Sequence, residues 1–147
     1  MTISNDRKIY IILLMIVILT AVIYLISFRP GHNWGGDFSV YIAQAKSISE
    51  NYDFPGKFAE TYTRAFPWGF PLLLSPIYSH LGLNIFAMKI YISLFFFFSL
   101  PVIFLIFKGK LRSKHSLFLV AFFSFNPYFF TFKDNVLSDI PFFFLFY

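Results

Sequence analysis

The chain has 147 residues, of which 58% are hydrophobic and 13% are charged, whereas a soluble domain usually carries about a quarter charged residues. A water-soluble fold of this length could not bury so many apolar side chains, because a small domain leaves much of its surface exposed. The absence of cysteine excludes disulfide scaffolds, thiolate metal sites and cysteine nucleophiles. The formal net charge is +5, but the basic residues lie at the ends of apolar segments, which is typical of membrane proteins and not of nucleic-acid-binding proteins.

Four apolar segments are predicted to be transmembrane helices, since a spanning helix needs about 20 predominantly apolar residues. They cover residues 9–28, 86–107, 116–132 and 136–147, and the fourth is still apolar but shorter than a span where the sequence ends. We expect an all-α, polytopic membrane protein in which residues 1–147 form the N-terminal part of one transmembrane domain, either as a fragment or as a truncated gene product. The first segment could instead be a secretory signal, but it is long for one and no cleavage motif follows it.

Two residues within these segments need a special environment. Lys89 lies near one end of the second segment, from which its ammonium group could extend to the lipid headgroups. Pro127 lies within the third segment and lacks a backbone N–H, so we expect a kink there.

The basic residues predict the orientation in the membrane. The connection between the second and third segments contains no acid and carries Lys108, Lys110, Arg112 and Lys114. Arg7 and Lys8 precede the first segment. The positive-inside rule places both basic stretches in the cytoplasm, so the N-terminus is cytoplasmic and residues 29–85 face outward. The lysine- and phenylalanine-rich composition fits an AT-rich bacterial gene, so we expect the cell membrane to be a bacterial plasma membrane.

The outward connection is predicted to begin with an amphipathic helix over residues 37–48. At 100° per residue one face carries Asp37, Tyr41, Gln44 and Ile48, and another carries Phe38, Ile42 and Ala45. We expect this helix to lie at the outer membrane surface, with the second face toward the lipid. Farther on, the prolines of residues 66–74 argue against a regular helix start.

Two aspartates are the candidate functional acids. Asp37 follows two glycines at a helix start, where it could serve as an N-cap or as a carboxylate that accepts a proton or positions a metal. Asp139 lies just inside the fourth apolar segment, where it could be a helix N-terminal acid at the interface or an acid facing a water-filled cavity. Both readings of each residue remain open on chemistry alone.

Other polar residues of the outward side are weaker candidates. Arg64, with Lys57, could bind a phosphate near the membrane surface or could be a solvated loop charge. Asp134 is more exposed than Asp139 in the predicted topology and is offset by Lys133. The lone histidines are too few to form a metal site made of protein ligands alone.

The order of several motifs resembles that of a known family. Gly36-Asp37 opens a helix that contains Tyr41 and Ala45; residues 66–74 read Phe-Pro-Trp-Gly-Phe-Pro-Leu-Leu-Leu, and Leu81-Gly82 precedes the second span. Residues 137–141, Leu-Ser-Asp-Ile-Pro, then open the fourth segment. This order resembles the N-terminal part of the GT-C superfamily of membrane glycosyltransferases, and within it the protein O-mannosyltransferase and aminoarabinose transferase type.

The resemblance implies transfer of a sugar from a polyprenyl-phosphate carrier to an acceptor outside the cytoplasm. It implies that Asp37 and Asp139 are the catalytic acids and that Tyr41, Arg64 and Asp134 contribute to substrate binding. The partners would be membrane lipid and the lipid-linked sugar, with no nucleic acid. A divalent metal is left open. Because the later spans of such enzymes and any soluble domain are not in the sequence, we expect this polypeptide by itself to be inactive.

Two alternatives come from other classes of protein. One is a transporter or channel subunit in which Asp139 and Lys89 are intramembrane charges on a transport path. The other is a non-catalytic membrane scaffold or the product of an interrupted gene. The long outward connection between the first two segments argues against a transporter, which more often has short loops and paired broken helices.

Overall fold

The computed structural model describes residues 3–51 and 67–146, with side chains for residues 6–50 and 67–146. These residues are 78% helical and contain no strand, which confirms the all-α prediction. The helices are α1 (Ile3–Ile26), α2 (Asp37–Asn51), α3 (Gly69–Leu81), α4 (Ile85–Lys108), α5 (Ser113–Ser124), α6 (Pro127–Phe132) and α7 (Asp139–Leu145).

Two of these helices are long and apolar enough to cross a membrane. They are α1, over Asp6–Ile26, and α4, over Ile85–Lys108. Both coincide with predicted segments, 9–28 and 86–107, because a predominantly apolar run of this length satisfies its backbone hydrogen bonds within itself when it forms a helix.

The third predicted segment is two helices and not one kinked span. α5 ends at Ser124 and α6 begins at Pro127. Pro127 cannot donate to the preceding turn, and Asn126 starts a new helix by accepting a hydrogen bond from the N–H of Tyr128 at 2.9 Å. The helix in the fourth predicted segment is α7, which begins at Asp139, three residues later than predicted. Its Pro141 lies in the first turn, where a backbone N–H has no intrahelical partner.

The expectation that prolines prevent a helix in residues 66–74 is wrong, because α3 begins at Gly69. Pro71 is the third residue of α3 and therefore removes an N–H that the helix does not use. Pro76 lies in the interior and leaves the carbonyl of Leu72 without its usual donor. The hydroxyl of Ser75 donates to that carbonyl at 2.9 Å, which replaces the missing hydrogen bond.

The helices pack around α4, which contacts α1, α3, α5 and α7. α1 lies against α4 and α5, and α2 lies against α3. The helix predicted at residues 37–48 is present as α2, but its apolar face has a protein partner. Ile42 and Ala45, which were expected to face the lipid, are buried within the protein. The exposed surface needed for the predicted lipid contact is therefore absent at these two residues.

An aromatic cluster on α4 joins four helices. The buried ring of Phe96 stacks on Tyr24 of α1, with the ring centroids 5.3 Å apart. It also contacts Phe129 of α6 at 4.7 Å and Phe143 of α7 at 6.5 Å. Such pairs contribute beyond the area they bury, so this cluster fixes α1, α6 and α7 around the middle of α4.

Truncation of Phe96 is expected to destabilise the fold. Phe96→Ala should lower the free energy of unfolding by about 3–5 kcal/mol, because it leaves a cavity among three other rings. Equilibrium unfolding in mixed detergent micelles measures this. The matched control is Phe98→Ala two residues away, since Phe98 is 59% exposed whereas Phe96 is fully buried. Equal losses for both variants would contradict the assigned packing.

Candidate functional site

The segment that follows α1 is held by two buried lysines. The ammonium group of Lys89, on α4, donates to the backbone carbonyls of Arg29 at 3.0 Å and Gly31 at 2.5 Å. The ammonium group of Lys133, just after α6, donates to the carbonyl of Ser27 at 2.6 Å. The side chains are 2% and 4% exposed, so both charges are taken out of solvent. Carbonyls near a helix C-terminus are suitable partners, because they are unsatisfied by the helix and lie at its negative pole.

The expectation that Lys89 extends to the lipid headgroups is therefore wrong. Its side chain turns inward because three-dimensional packing places the carbonyls of residues 29 and 31 within reach of its ammonium group. The two hydrogen bonds to carbonyls offset part of the cost of burying the charge.

Asp134 completes this cluster. Its Oδ1 accepts a hydrogen bond from the backbone N–H of Arg29 and another from the ammonium group of Lys133, each at 2.9 Å. The ion pair predicted between Lys133 and Asp134 is thus present. A cavity of about 350 Å³ lies beside it, lined by Arg29, Lys133, Asp134 and Thr131 among others. The predicted binding residue Asp134 therefore serves first to fix the chain after α1, with a polar cavity at its side.

A second cavity, of about 320 Å³, lies between α2, α3 and α7. Tyr41 lines it from α2, and Phe70 from α3 meets the Tyr41 ring edge-on with the centroids 5.1 Å apart. Ser138, the residue before α7, lines the same cavity, as does Pro141. We call it the Tyr41 cavity. It joins two segments that carry the candidate acids, although they are far apart in the sequence.

Asp37 is the first residue of α2 and is exposed. It lies four positions before Tyr41 and thus on the same side of the helix as the residue that lines the cavity. Gly36 precedes it with φ 56°, a left-handed conformation that favours glycine, so the turn is suited to the observed residue. No hydrogen bond or ion pair joins the Asp37 carboxylate to another residue in the described ranges, and the predicted N-cap bond is not among its contacts there.

Asp139 is the first residue of α7 and is also exposed. Its Oδ1 accepts a hydrogen bond from the hydroxyl of Tyr128 at 3.2 Å. Because Ser138 lines the Tyr41 cavity, Asp139 stands beside the wall of that cavity opposite Tyr41. Tyr128 is a contact that sequence reasoning missed, since Asn126-Pro127 was read only as a kink and not as the start of α6.

Gln44 is a further residue whose importance was not predicted. It follows Tyr41 on the same side of α2 and is almost fully buried, and neither polar atom of its amide has a hydrogen-bond partner among the residues that the structure describes. A buried amide without a partner is uncommon in a protein interior. Its placement on the predicted face of Asp37 was the only signal available in the sequence.

The other predicted binding residue, Arg64, lies outside the described residues, as does Lys57. Among the residues described, no group of three or more histidine, aspartate or glutamate side chains could hold a metal ion. His80 contacts the hydroxyl of Ser79 and the carbonyl of Pro76 through Nδ1, at 3.0 and 2.8 Å. It therefore belongs to the end of α3 and not to either cavity.

His32 lies in the segment that the lysines hold. Its ring meets Trp34 and Phe38 edge-on, with centroids 5.1 and 5.8 Å apart. Burial of the ring and the positive charge of Lys89 lower the pKa of His32 below its usual 6.5, and a backbone contact with Phe38 opposes them. The neutral imidazole is therefore favoured in the folded protein.

Comparison of the chain with protein-family models, with curated proteins and with solved structures found no match. The residues of the two cavities are consequently interpreted from their own chemistry.

Removal of the Lys89 ammonium group should destabilise the protein. Lys89→Met leaves the part-buried carbonyls of Arg29 and Gly31 without this donor, and the cost of a fully buried unpaired group, about 1–3 kcal/mol, is the upper bound for each. Thermal or detergent unfolding measures the change. Lys46→Met is the control, because Lys46 is about half exposed and makes only a 3.8 Å surface ion pair with Glu50. A Lys89→Met protein as stable as Lys46→Met would contradict the role of Lys89 in holding the segment after α1.

The folded state should lose stability as the pH falls below 6.5. The unfolded chain binds a proton on His32 more readily than the folded one, so the stability due to neutral His32 is full above 6.5 and decreases as the pH falls toward the lowered pKa of the folded state. In a Trp68→Phe background Trp34 is the remaining tryptophan of two. Its emission should titrate with a midpoint below 6.5 and lose this titration in His32→Gln. A midpoint at or above 6.5 would show that the ring is not shielded.

Proposed function

We propose that this chain belongs to the GT-C membrane glycosyltransferases and provides the acceptor-side carboxylates for transfer of a sugar from a polyprenyl-phosphate carrier. In this proposal the chain is polytopic in the cell membrane, with its N-terminus in the cytoplasm. Asp37 and Asp139 are the catalytic acids, and Tyr41 lies in the substrate cavity. The resemblance described from the sequence suggests the reaction, and three features of the structure support it.

The first feature is the exposed apolar surface of α1. Large hydrophobic side chains are exposed along its whole length, including Ile11, Met15, Ile18, Val22 and Ile26. A soluble monomer rarely exposes a continuous apolar patch of this kind, whereas lipid accommodates it. This supports a transmembrane α1 with its partner α4.

The second feature is the distribution of charge between the two ends of the helices. Lys108 at the end of α4 donates to the Tyr10 hydroxyl near the start of α1, so the two basic stretches lie together. At the opposite end, Lys89 near the start of α4 meets the segment that follows α1. The two basic stretches therefore lie at the same end of the α1–α4 pair, as the positive-inside rule requires of cytoplasmic segments. The chain that leads to Asp37 leaves α1 at the opposite end of this pair.

The third feature carries the proposal. The Tyr41 cavity is lined by α2 from one side and by the start of α7 from the other, so segments bearing Asp37 and Asp139 flank one space. Its walls are largely aromatic and aliphatic, through Phe70, Leu73 and Phe142. Walls of this kind suit the isoprenoid chain of a carrier, and exposed carboxylates on the two helices that flank the cavity suit a polar acceptor.

The chemistry follows from these positions. Transfer from a polyprenyl phosphate has a stable phosphate anion as leaving group, so the enzyme mainly activates the acceptor and holds both substrates in line. The Asp37 carboxylate, which has no competing partner in the described residues, would accept the acceptor's proton. The Tyr128 hydroxyl donates to one oxygen of Asp139, and the other oxygen, which has no partner among the described residues, would accept from a substrate hydroxyl.

The transporter alternative loses part of its support. It required Lys89 as a charge on a transport path, whereas the Lys89 ammonium group is bound to two backbone carbonyls. A charge held in this way is a structural tie between α4 and the chain after α1.

Because the chain by itself is expected to be inactive, the proposal is tested with the chain joined to the later spans that such an enzyme has, by transfer from a radiolabelled polyprenyl-phosphate sugar in membranes that contain this protein. Asp37→Asn should lower the transfer rate by about 10²–10⁴-fold, the usual contribution of a general base, while photo-crosslinking of the donor lipid is retained. Glu50→Gln is the control, because Glu50 is an exposed acid at the other end of α2. Full transfer by Asp37→Asn would refute the assigned role, and absence of both transfer and crosslinking with the unchanged protein would refute the function.

A further inference from the structure

A basic groove lies at the end of the molecule opposite the candidate acids. It has a volume of about 870 Å³ and is formed by the start of α1, the end of α4 and the start of α5. Its lining carries five cationic side chains, from Lys8, Lys108, Lys110, Arg112 and Lys114, and no acid is among the described lining residues, although Asp6 lies close enough to interact with Lys108. Three separate parts of the chain thus bring their positive charges to one concave surface.

The same groove has an apolar wall. Ile9 and Ile12 of α1 line it together with Leu111 and Leu117. Ile12 and Leu111 are exposed, although both are large hydrophobic residues. A free inorganic anion would use only the cations, whereas a ligand with a charged head and an apolar tail would use both parts of the lining.

One of these cations, Lys108, is held in place by a neighbouring tyrosine, and a helix N-terminus lies beside the groove. The Lys108 ammonium group donates to the Tyr10 hydroxyl at 3.0 Å and lies 4.7 Å from the centre of the Tyr10 ring. α5 begins at Ser113 beside the groove, and no side chain of the described residues caps its N-terminus. The Arg112 carbonyl accepts from the N–H groups of His115 and Ser116, and the positive pole of the helix adds to the field of the cations.

We propose that the basic groove binds the phosphate headgroup of an anionic membrane phospholipid, with an acyl chain along Ile9 and Ile12. The inference rests on the proposed membrane placement and is independent of glycosyl transfer. Basic cavities between transmembrane helices on the cytoplasmic side are a known way of binding anionic lipid headgroups. Diffuse attraction between a basic surface and anionic lipid would need no groove. Lipid binding in the groove should therefore depend more on a lining residue than on a basic residue outside the lining.

The test uses the whole chain in nanodiscs of phosphatidylcholine into which phosphatidylglycerol is titrated, with bound lipid counted by native mass spectrometry. We expect retention of phosphatidylglycerol over phosphatidylcholine. Arg112→Gln should weaken this retention by about fivefold or more, which is the effect of one basic residue close to an anionic headgroup. Arg7→Gln should change it less than twofold, because Arg7 is an exposed arginine at the same end of α1 but outside the groove lining.

Equal losses in Arg112→Gln and Arg7→Gln would overturn the proposal in favour of diffuse attraction. Displacement of the lipid by millimolar inorganic phosphate would overturn the lipid as ligand, since the apolar wall would then contribute nothing. Arg112→Lys keeps the charge and should retain the lipid, and far-ultraviolet circular dichroism checks that each variant is folded. Loss of sugar transfer in the Asp37→Asn variant should leave lipid retention unchanged, which separates this test from that of the proposed function.

Discussion

The two ammonium groups that bind the chain after α1 are the interaction on which the arrangement of this end depends. Lys89 and Lys133 come from different parts of the chain, and both donate to backbone carbonyls within residues 27–31. A buried lysine is stable only when its charge has partners, and an irregular segment at a helix end has carbonyls that need donors. Each requirement satisfies the other, so the segment is fixed without regular structure of its own. Asp134 adds the acceptor for the Arg29 N–H and neutralises part of the charge.

The lysine hydrogen bonds are connected to the candidate site through α4. Lys89 stands near the start of the helix that contacts α3 and α7, and these two helices form walls of the Tyr41 cavity. Phe96, farther along α4, then holds α1, α6 and α7 together through its ring contacts. The hydrogen bonds of Lys89 and the aromatic cluster around Phe96 thus involve the same helix, the first near its start and the second near its middle. The lysine hydrogen bonds orient the chain that leads into α2, and the aromatic cluster orients α7, which begins at Asp139.

The elements that the sequence predicted well are those set by local pattern. Apolar length is enough to place α1 and α4, and the glycine pair before Asp37 with the helical pattern after it is enough to place α2. α3 was missed because Pro71 was treated as a barrier, although a proline in the first turn costs a helix nothing. The inward turn of Lys89 could not be predicted, because its partners lie about sixty residues away and become neighbours only through packing.

The candidate site divides in the same way. Asp37 and Asp139 were recognisable as acids at helix starts, since sequence alone shows an aspartate after glycines or before Ile-Pro. The cavity between their two helices was not recognisable from spacing, because it depends on α2 packing against α3 while α7 packs against α4. Tyr41 and Ser138 are therefore the informative pair: neither is chemically distinctive, yet their common cavity relates the two acids. If α2 lay free at the membrane surface with Ile42 and Ala45 in lipid, Tyr41 would not be fixed against Phe70 and the cavity would have no wall on that side. Burial of the apolar face of α2 is thus the condition for a defined site, and it is the feature that distinguishes this structure from a simple interfacial helix.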